Sequence, residues 1–220
     1  MLMSLFYRSY DINDLKNCPL SPIGKRRGSC KVAIIDDEPF VYEDKLRHLG
    51  FNLIVFPDVD DVHQLEAYPV IISDIRGVGK GFQSEFGGAF LIQECRKIYP
   101  NKAYGVYSGS MQNLQIVSML RDVMVIKKDE SIDNWTTYID TMINSLSDPV
   151  ICWKKIRNIL LEQDLPLKAV ERLESEYVDI ILNKKGDFSS FPSRSKKYNV
   201  GEDVRAIINS LVAGVILSAL

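Results

Sequence analysis

The sequence predicts an α/β fold: a doubly wound five-stranded parallel sheet followed by a small all-helical region. Three observations carry this. Five short apolar runs recur between residues 31 and 126, without the polar alternation of a half-exposed strand. Amphipathic segments of helical period separate them. Beyond residue 147 the runs stop and only long helical stripes remain.

The elements follow in order. Residues 1–30 hold no sustained period; Pro19, Pro22 and Gly24 interrupt them, and Lys25-Arg26-Arg27-Gly28 reads as a solvated turn. This leader is expected to be an arm. Lys31–Ile35 is the first run and ends in acids. Phe40–Leu49 is a helix candidate, Leu53–Phe56 the second run, and Asp61–Ala67 a short helix candidate. Val70–Ser73 is the third run, ending at Asp74. Gly88–Tyr99 carries Phe90, Leu91, Ile92, Cys95 and Ile98 at helical spacing, which makes Cys95 a core residue. Tyr104–Tyr107 is the fourth run, ending at Ser108. Gln112–Leu120 is a helix candidate, and Val123–Ile126 is the fifth run, ending at Lys127. Ser131 is a candidate N-cap for a helix through Leu146, with Trp135, Tyr138, Ile139, Met142 and Ile143 on one stripe.

Asp148-Pro149 marks a boundary. Val150–Gln163 and Leu167–Lys184 both read as amphipathic helices. The segment 184–198 holds five basic residues against one acidic, with Phe188, Phe191 and Tyr198 interleaved. It is either a solvated linker or a weak nucleic-acid contact. Glu202–Leu220 is a helix candidate with no charge after Arg205, suited to a buried core or an oligomer contact. Its 15 uncharged residues, Ala206–Leu220, are short for a membrane span.

Composition narrows the function classes. The 220 residues are 46% apolar and 25% charged, the balance of a globular protein. The net charge of −2 argues against a generic polyanion binder. The acidity is concentrated in residues 31–146, with 17 acidic against 11 basic side chains. His48 and His63 are the only histidines, and are expected on helix surfaces. Cys18, Cys30, Cys95 and Cys152 are scattered with no C-x-x-C pair, which speaks against a structural zinc or a disulfide framework. Arg8, Asp11 and Asp14 interrupt the amino terminus before a secretion signal can form. A cytoplasmic location with reduced thiols is the simplest expectation.

In a parallel doubly wound sheet, functional groups sit beyond the carboxyl ends of the strands. There the sequence places Asp36, Asp37 and Glu38, then Asp74, Ser108 and Lys127. Clustered carboxylates call for a hard divalent cation, and Mg²⁺ with oxygen ligands suits them. A carboxylate there can attack a phosphodonor, with the lysine and the hydroxyl holding the new phosphoryl oxygens. Cap or salt-bridge roles for the same acids are the structural alternative.

The motifs IIDDE, ISDI, YSGS and VIKK, in this order, resemble the receiver domain of bacterial response regulators, the CheY-like family, over roughly residues 30–147. That resemblance implies a flavodoxin-like strand order 2-1-3-4-5; with the charge distribution and the helical stripes beyond it, the chain is expected to divide into arm 1–30, receiver-like domain 31–147 and helical output or oligomerisation domain 148–220. It implies that Asp74 accepts a phosphoryl group and that Mg²⁺ is held by Asp36, Asp37, Asp74 and the backbone carbonyl of Arg76. It assigns Ser108 as the hydroxyl, with the small Gly109 after it, and Lys127 as the lysine. The expected protein is a two-component switch, not an enzyme beyond its own phosphorylation and dephosphorylation. Its partners would be a histidine kinase or other phosphodonor, and an effector or a second copy met through the C-terminal helices. A phosphorylation-independent scaffold and, more weakly, a DNA-binding regulator are the alternatives.

Two departures stand out. Lys128 occupies the position where the family usually has proline, and Met124 the usual aromatic switch position. A glycine-rich stretch, GVGKGFQSEFGG, also delays the helix after Asp74, as a lid, a partner site or a plain insertion.

Overall fold

The computed structural model describes residues 9–16, 22–109, 114–120 and 123–183, together with 191 and 201. Most of the basic segment 184–198 and all of the apolar segment 202–220 lie outside the described residues, as does Cys18.

The chain divides into two compact units. One is Ser21–Leu146; the other combines Met1–Leu20 with Ser147–Leu220.

The first unit is the predicted doubly wound sheet. Its strands are β1 (Lys31–Ile35), β2 (Asn52–Phe56), β3 (Val70–Asp74), β4 (Ala103–Ser108) and β5 (Met124–Lys127). They are all parallel, in the order β2-β1-β3-β4-β5. The apolar runs follow from burial on both faces: every residue of β3 and β4 is buried. Around the sheet lie α1 (Ile23–Ser29), α2 (Glu43–His48), α3 (Gly87–Ile98), α4 (Leu114–Met119) and α5 (Ile132–Ser147). The segment expected as a short helix over 61–67 is a 3-10 turn, Val62–Leu65, whose N-cap Asp61 accepts from His63 N.

Two apolar layers sandwich the sheet. One joins Ala33, Ile35, Ile71 and Val106 to Leu91, Ile92 and Cys95 of α3. The other joins Val32, Ile34, Ile72 and Tyr107 to Trp135, Ile139 and Met142 of α5. Cys95 is fully buried, as its place on the stripe predicted. At the start of α5, Ser131 Oγ accepts from Asn134 N at 3.2 Å, the expected cap.

The leader differs from the single arm expected. Lys25-Arg26-Arg27-Gly28 is part of α1, not a solvated turn. Arg26 is buried and bonds Asn144. Arg27 makes a two-pronged pair with Asp140 at 2.6 and 2.8 Å and lies over the Phe51 ring. These two cations are therefore satisfied by acceptors on α5 rather than by water alone, which composition does not show.

The second unit is built on α6 (Pro149–Glu162) and α7 (Leu167–Asn183). Asp148 caps α6 by accepting from Val150 N at 2.7 Å and Ile151 N at 3.2 Å. Its core holds Trp153, Ile156, Leu160, Val170, Leu173 and Tyr177. Residues 9–16 pack into that core: Leu15 is buried, Tyr10 N donates to Ser175 Oγ and Ile12 N to Glu174 Oε1. No helix among the described residues is long and apolar enough to cross a membrane.

Candidate functional site

The carboxyl ends of β1, β3, β4 and β5 surround a pocket of about 390 Å³, lined by Asp37, Glu38, Asp74, Arg76, Gly77, Ser108, Gly109 and Lys128. The parallel register makes this convergence: Asp74 lies opposite Tyr107, and Ser108 opposite Lys127.

Asp74 is the last residue of β3 and is buried, with 4% of its surface exposed. Its Oδ1 accepts from Arg76 N at 3.2 Å and its Oδ2 from Lys128 Nζ at 2.8 Å. A buried carboxylate needs such partners, because desolvation of an unpaired charge is costly.

The lysine at Asp74 is Lys128, and this corrects the assignment of Lys127. Strand β5 ends at Lys127, which is its last paired position. Side chains alternate along a strand. Ile126 points into the core, and Lys127 falls with Val125 on the exposed side. Lys128 then leaves the strand, its N–H bonded to Ser108 O at 3.1 Å, and its ammonium reaches Asp74 and, at 3.4 Å, Glu38. The bond to Asp74 raises the Lys128 pKa, partly offset by desolvation. Lys128 therefore makes the contact with Asp74 that the sequence leads one to expect of Lys127.

The acidic pair divides. Asp37 is half-exposed and lines the pocket. Asp36 is buried and is not among the lining residues; its Oδ2 accepts from Tyr107 Oη at 2.6 Å and its Oδ1 from Glu38 N at 3.0 Å. Burial, and then the bond to Asp36, push the Tyr107 pKa upward. The phenol is therefore a donor at neutral pH. In the sequence, nothing distinguishes Tyr107 from an ordinary core aromatic of the fourth run.

Ser108 is buried at the end of β4 and lines the pocket, with Gly109 beside it. Arg76 and Gly77 also line the pocket. Gly77 adopts φ +76°, a left-handed conformation that favours glycine, and lies against the Asp37 carboxylate.

These donors suit a hard cation. Mg²⁺ is usually held by one or two carboxylates and retained waters, and Asp37 and Asp74 share the pocket. Asp36 is turned onto Tyr107, so the described residues contain no ready-made cluster of three metal-binding side chains. His48 and His63 are exposed, on Asp44 O and Tyr99 Oη.

No family model matches the chain, and no curated protein matches it in sequence. Solved structures do resemble it. A response regulator receiver domain protein from Clostridium thermocellum is 18% identical, with a TM-score of 0.43 over 52% of this chain and 94% of that one. NtrX from Brucella abortus, in complex with ATP, is 16% identical with a TM-score of 0.43, over 69% of this chain; the match spans 40% of NtrX. Full-length FixJ from B. japonicum is 14% identical with a TM-score of 0.44, over 86% of this chain and 97% of that one.

Proposed function

We propose that the chain is a response-regulator-type switch that accepts a phosphoryl group on Asp74. The observation that carries this reading is one pocket lined by the strand-end carboxylates Asp37 and Asp74, the Ser108 hydroxyl and the Lys128 ammonium. A carboxylate oxygen of Asp74 attacks the phosphorus of a phosphodonor. The acyl-phosphate P–O bond forms as the donor's P–N or P–O bond breaks, and the leaving group departs with the electron pair. Lys128, already at Asp74, neutralises the charge on the new phosphoryl oxygens, and Ser108 donates its hydroxyl to one of them. Asp37, Asp74 and the Arg76 carbonyl would hold Mg²⁺, which when bound supplies further charge neutralisation. Phosphorylation then shifts a pre-existing equilibrium that the helical unit reads out by protein contact. The natural donor in this reading is a histidine kinase or another phosphodonor, and the output partner is an effector or a second copy.

A second reading is a scaffold that works without phosphorylation. It is favoured by the internal partners of all three acids: Tyr107 on Asp36, Lys80 on Asp37 and Lys128 on Asp74.

Intact mass after incubation with acetyl phosphate and Mg²⁺ tests the two. The switch predicts a gain of one phosphoryl group that Asp74→Asn abolishes. Lys128→Met slows the gain by at least about tenfold, whereas Lys127→Met leaves it unchanged. No gain in the folded, Mg²⁺-replete protein favours the scaffold.

A further inference from the structure

The glycine-rich stretch after Asp74 is an ordered loop with a closed base. Gly88 N donates to Ile75 O at 3.1 Å, which brings the two ends of the loop together. Val78 is buried in the sheet core, and Phe82 and Phe86 pack against the same cluster. The loop turns toward the end of β2, where the Asp58 carboxylate accepts three backbone N–H groups: Val59 at 2.8 Å, Gly79 at 2.5 Å and Lys80 at 3.3 Å. A carboxylate bonded to three amides is a strong clamp. Gly81 packs so closely on Asp60 that a Cβ would stand 2.7 Å from the Asp60 Cβ. The clamp places the Lys80 backbone, and the Lys80 Nζ lies 3.5 Å from Asp37 Oδ2. The loop also passes over Asp37 through Gly77. One cation of the chain thus stands at Asp37, the more exposed of the two strand-end aspartates that line the pocket.

We propose that the loop 76–87 is a tethered counter-ion: Asp58 clamps it so that Lys80 neutralises Asp37, and a divalent cation binds the pocket by displacing the Lys80 ammonium. The inference rests on the reading above only in taking Asp37 as a cation ligand. The Lys80 side chain is 67% exposed and Asp37 35%, so water screens the pair and its effect is modest. Its consequence is a weakened affinity for Mg²⁺ that depends on the charge, not the bulk, of residue 80.

The test is isothermal titration of the full chain with MgCl₂ alone. Lys80→Met is expected to tighten binding about two- to fivefold at low salt, with the gain shrinking as KCl is added. Lys80→Arg keeps the wild-type affinity, and Asp37→Asn removes binding. Asp58→Asn, which loosens the clamp, shifts affinity in the same direction as Lys80→Met. Equal or weaker binding by Lys80→Met, or no Mg²⁺ binding by any variant, overturns the proposal. Phosphoryl gain is measured separately by mass. An affinity shift without phosphorylation therefore sinks the switch and keeps the tethered counter-ion, and phosphorylation without an affinity shift does the reverse.

Discussion

Tyr107 decides what Asp36 can do. Its ring is wedged among Phe40 and Trp135, with centroids 6.1 and 5.2 Å away, and its hydroxyl reaches a carboxylate that is only 3% exposed. The substitution Tyr107→Phe would leave that carboxylate short of one donor, at a cost of about 1–3 kcal/mol at neutral pH. The pH dependence has a definite sign. The folded-state pKa of Tyr107 is raised, so its contribution is fully present below the ordinary tyrosine value of about 10. It is lost as pH rises above that value, because the unfolded chain releases its proton first. Denaturant melts of wild type and Tyr107→Phe at successive pH values above 10 should therefore converge. Wild type should lose up to about 1.4 kcal/mol more per pH unit than the variant. Parallel curves would show that the hydroxyl does not bond Asp36 in solution. Residues such as Asp74 and Ser108 were legible because each ends an apolar run. The partner of Asp36 was not, because Tyr107 and Asp36 are 71 positions apart and meet only across the sheet.

At the scale of elements, the pocket depends on how α3 meets β3. Gly88, in the first turn of α3, sits so close to the strand end that a Cβ would overlap the Asp74 carbonyl and stand 2.5 Å from Ser73 Oγ. Gly88→Ala must push α3 or the end of β3 aside. The expected cost is about 1–3 kcal/mol by chemical denaturation, together with slower phosphoryl gain, since the displaced backbone is that of Asp74 itself. An unchanged midpoint would mean that the helix start is looser than its geometry. Strand β5 teaches a related lesson. Its apolar run and its end at Lys127 are plain in the sequence, but not which of two neighbouring lysines turns to the site, and in a strand one residue exchanges the two faces. That single step separates Lys127 on the exposed side from Lys128 at Asp74. Helix α1 was missed for a different reason: a seven-residue segment rich in charge and glycine has little helical period of its own and is held by Asn144 and Asp140.

For the molecule as a whole, the two units have separate cores, and each has one tryptophan: Trp135 in the sheet unit and Trp153 in the helical one. Residues 9–16 belong to the helical core although the whole sheet unit separates them from it in the chain. Leu15→Ala should therefore destabilise the helical unit by about 2–5 kcal/mol. Trp153 fluorescence in a Trp135→Phe background reads it; an unshifted Trp153 transition would detach the leader from that core. The sequence alone determined the five strands, their order along the chain, the helical character of 149–183, and the acids and hydroxyl at the strand ends. It could do so because burial on two faces, helical period and strand-end position are local patterns. The tertiary structure decided which lysine meets Asp74, which acid Tyr107 holds, where the loop 76–87 is clamped and to which unit the leader belongs. Each of these is a pairing between distant residues, set by register and packing rather than by any neighbour in the chain.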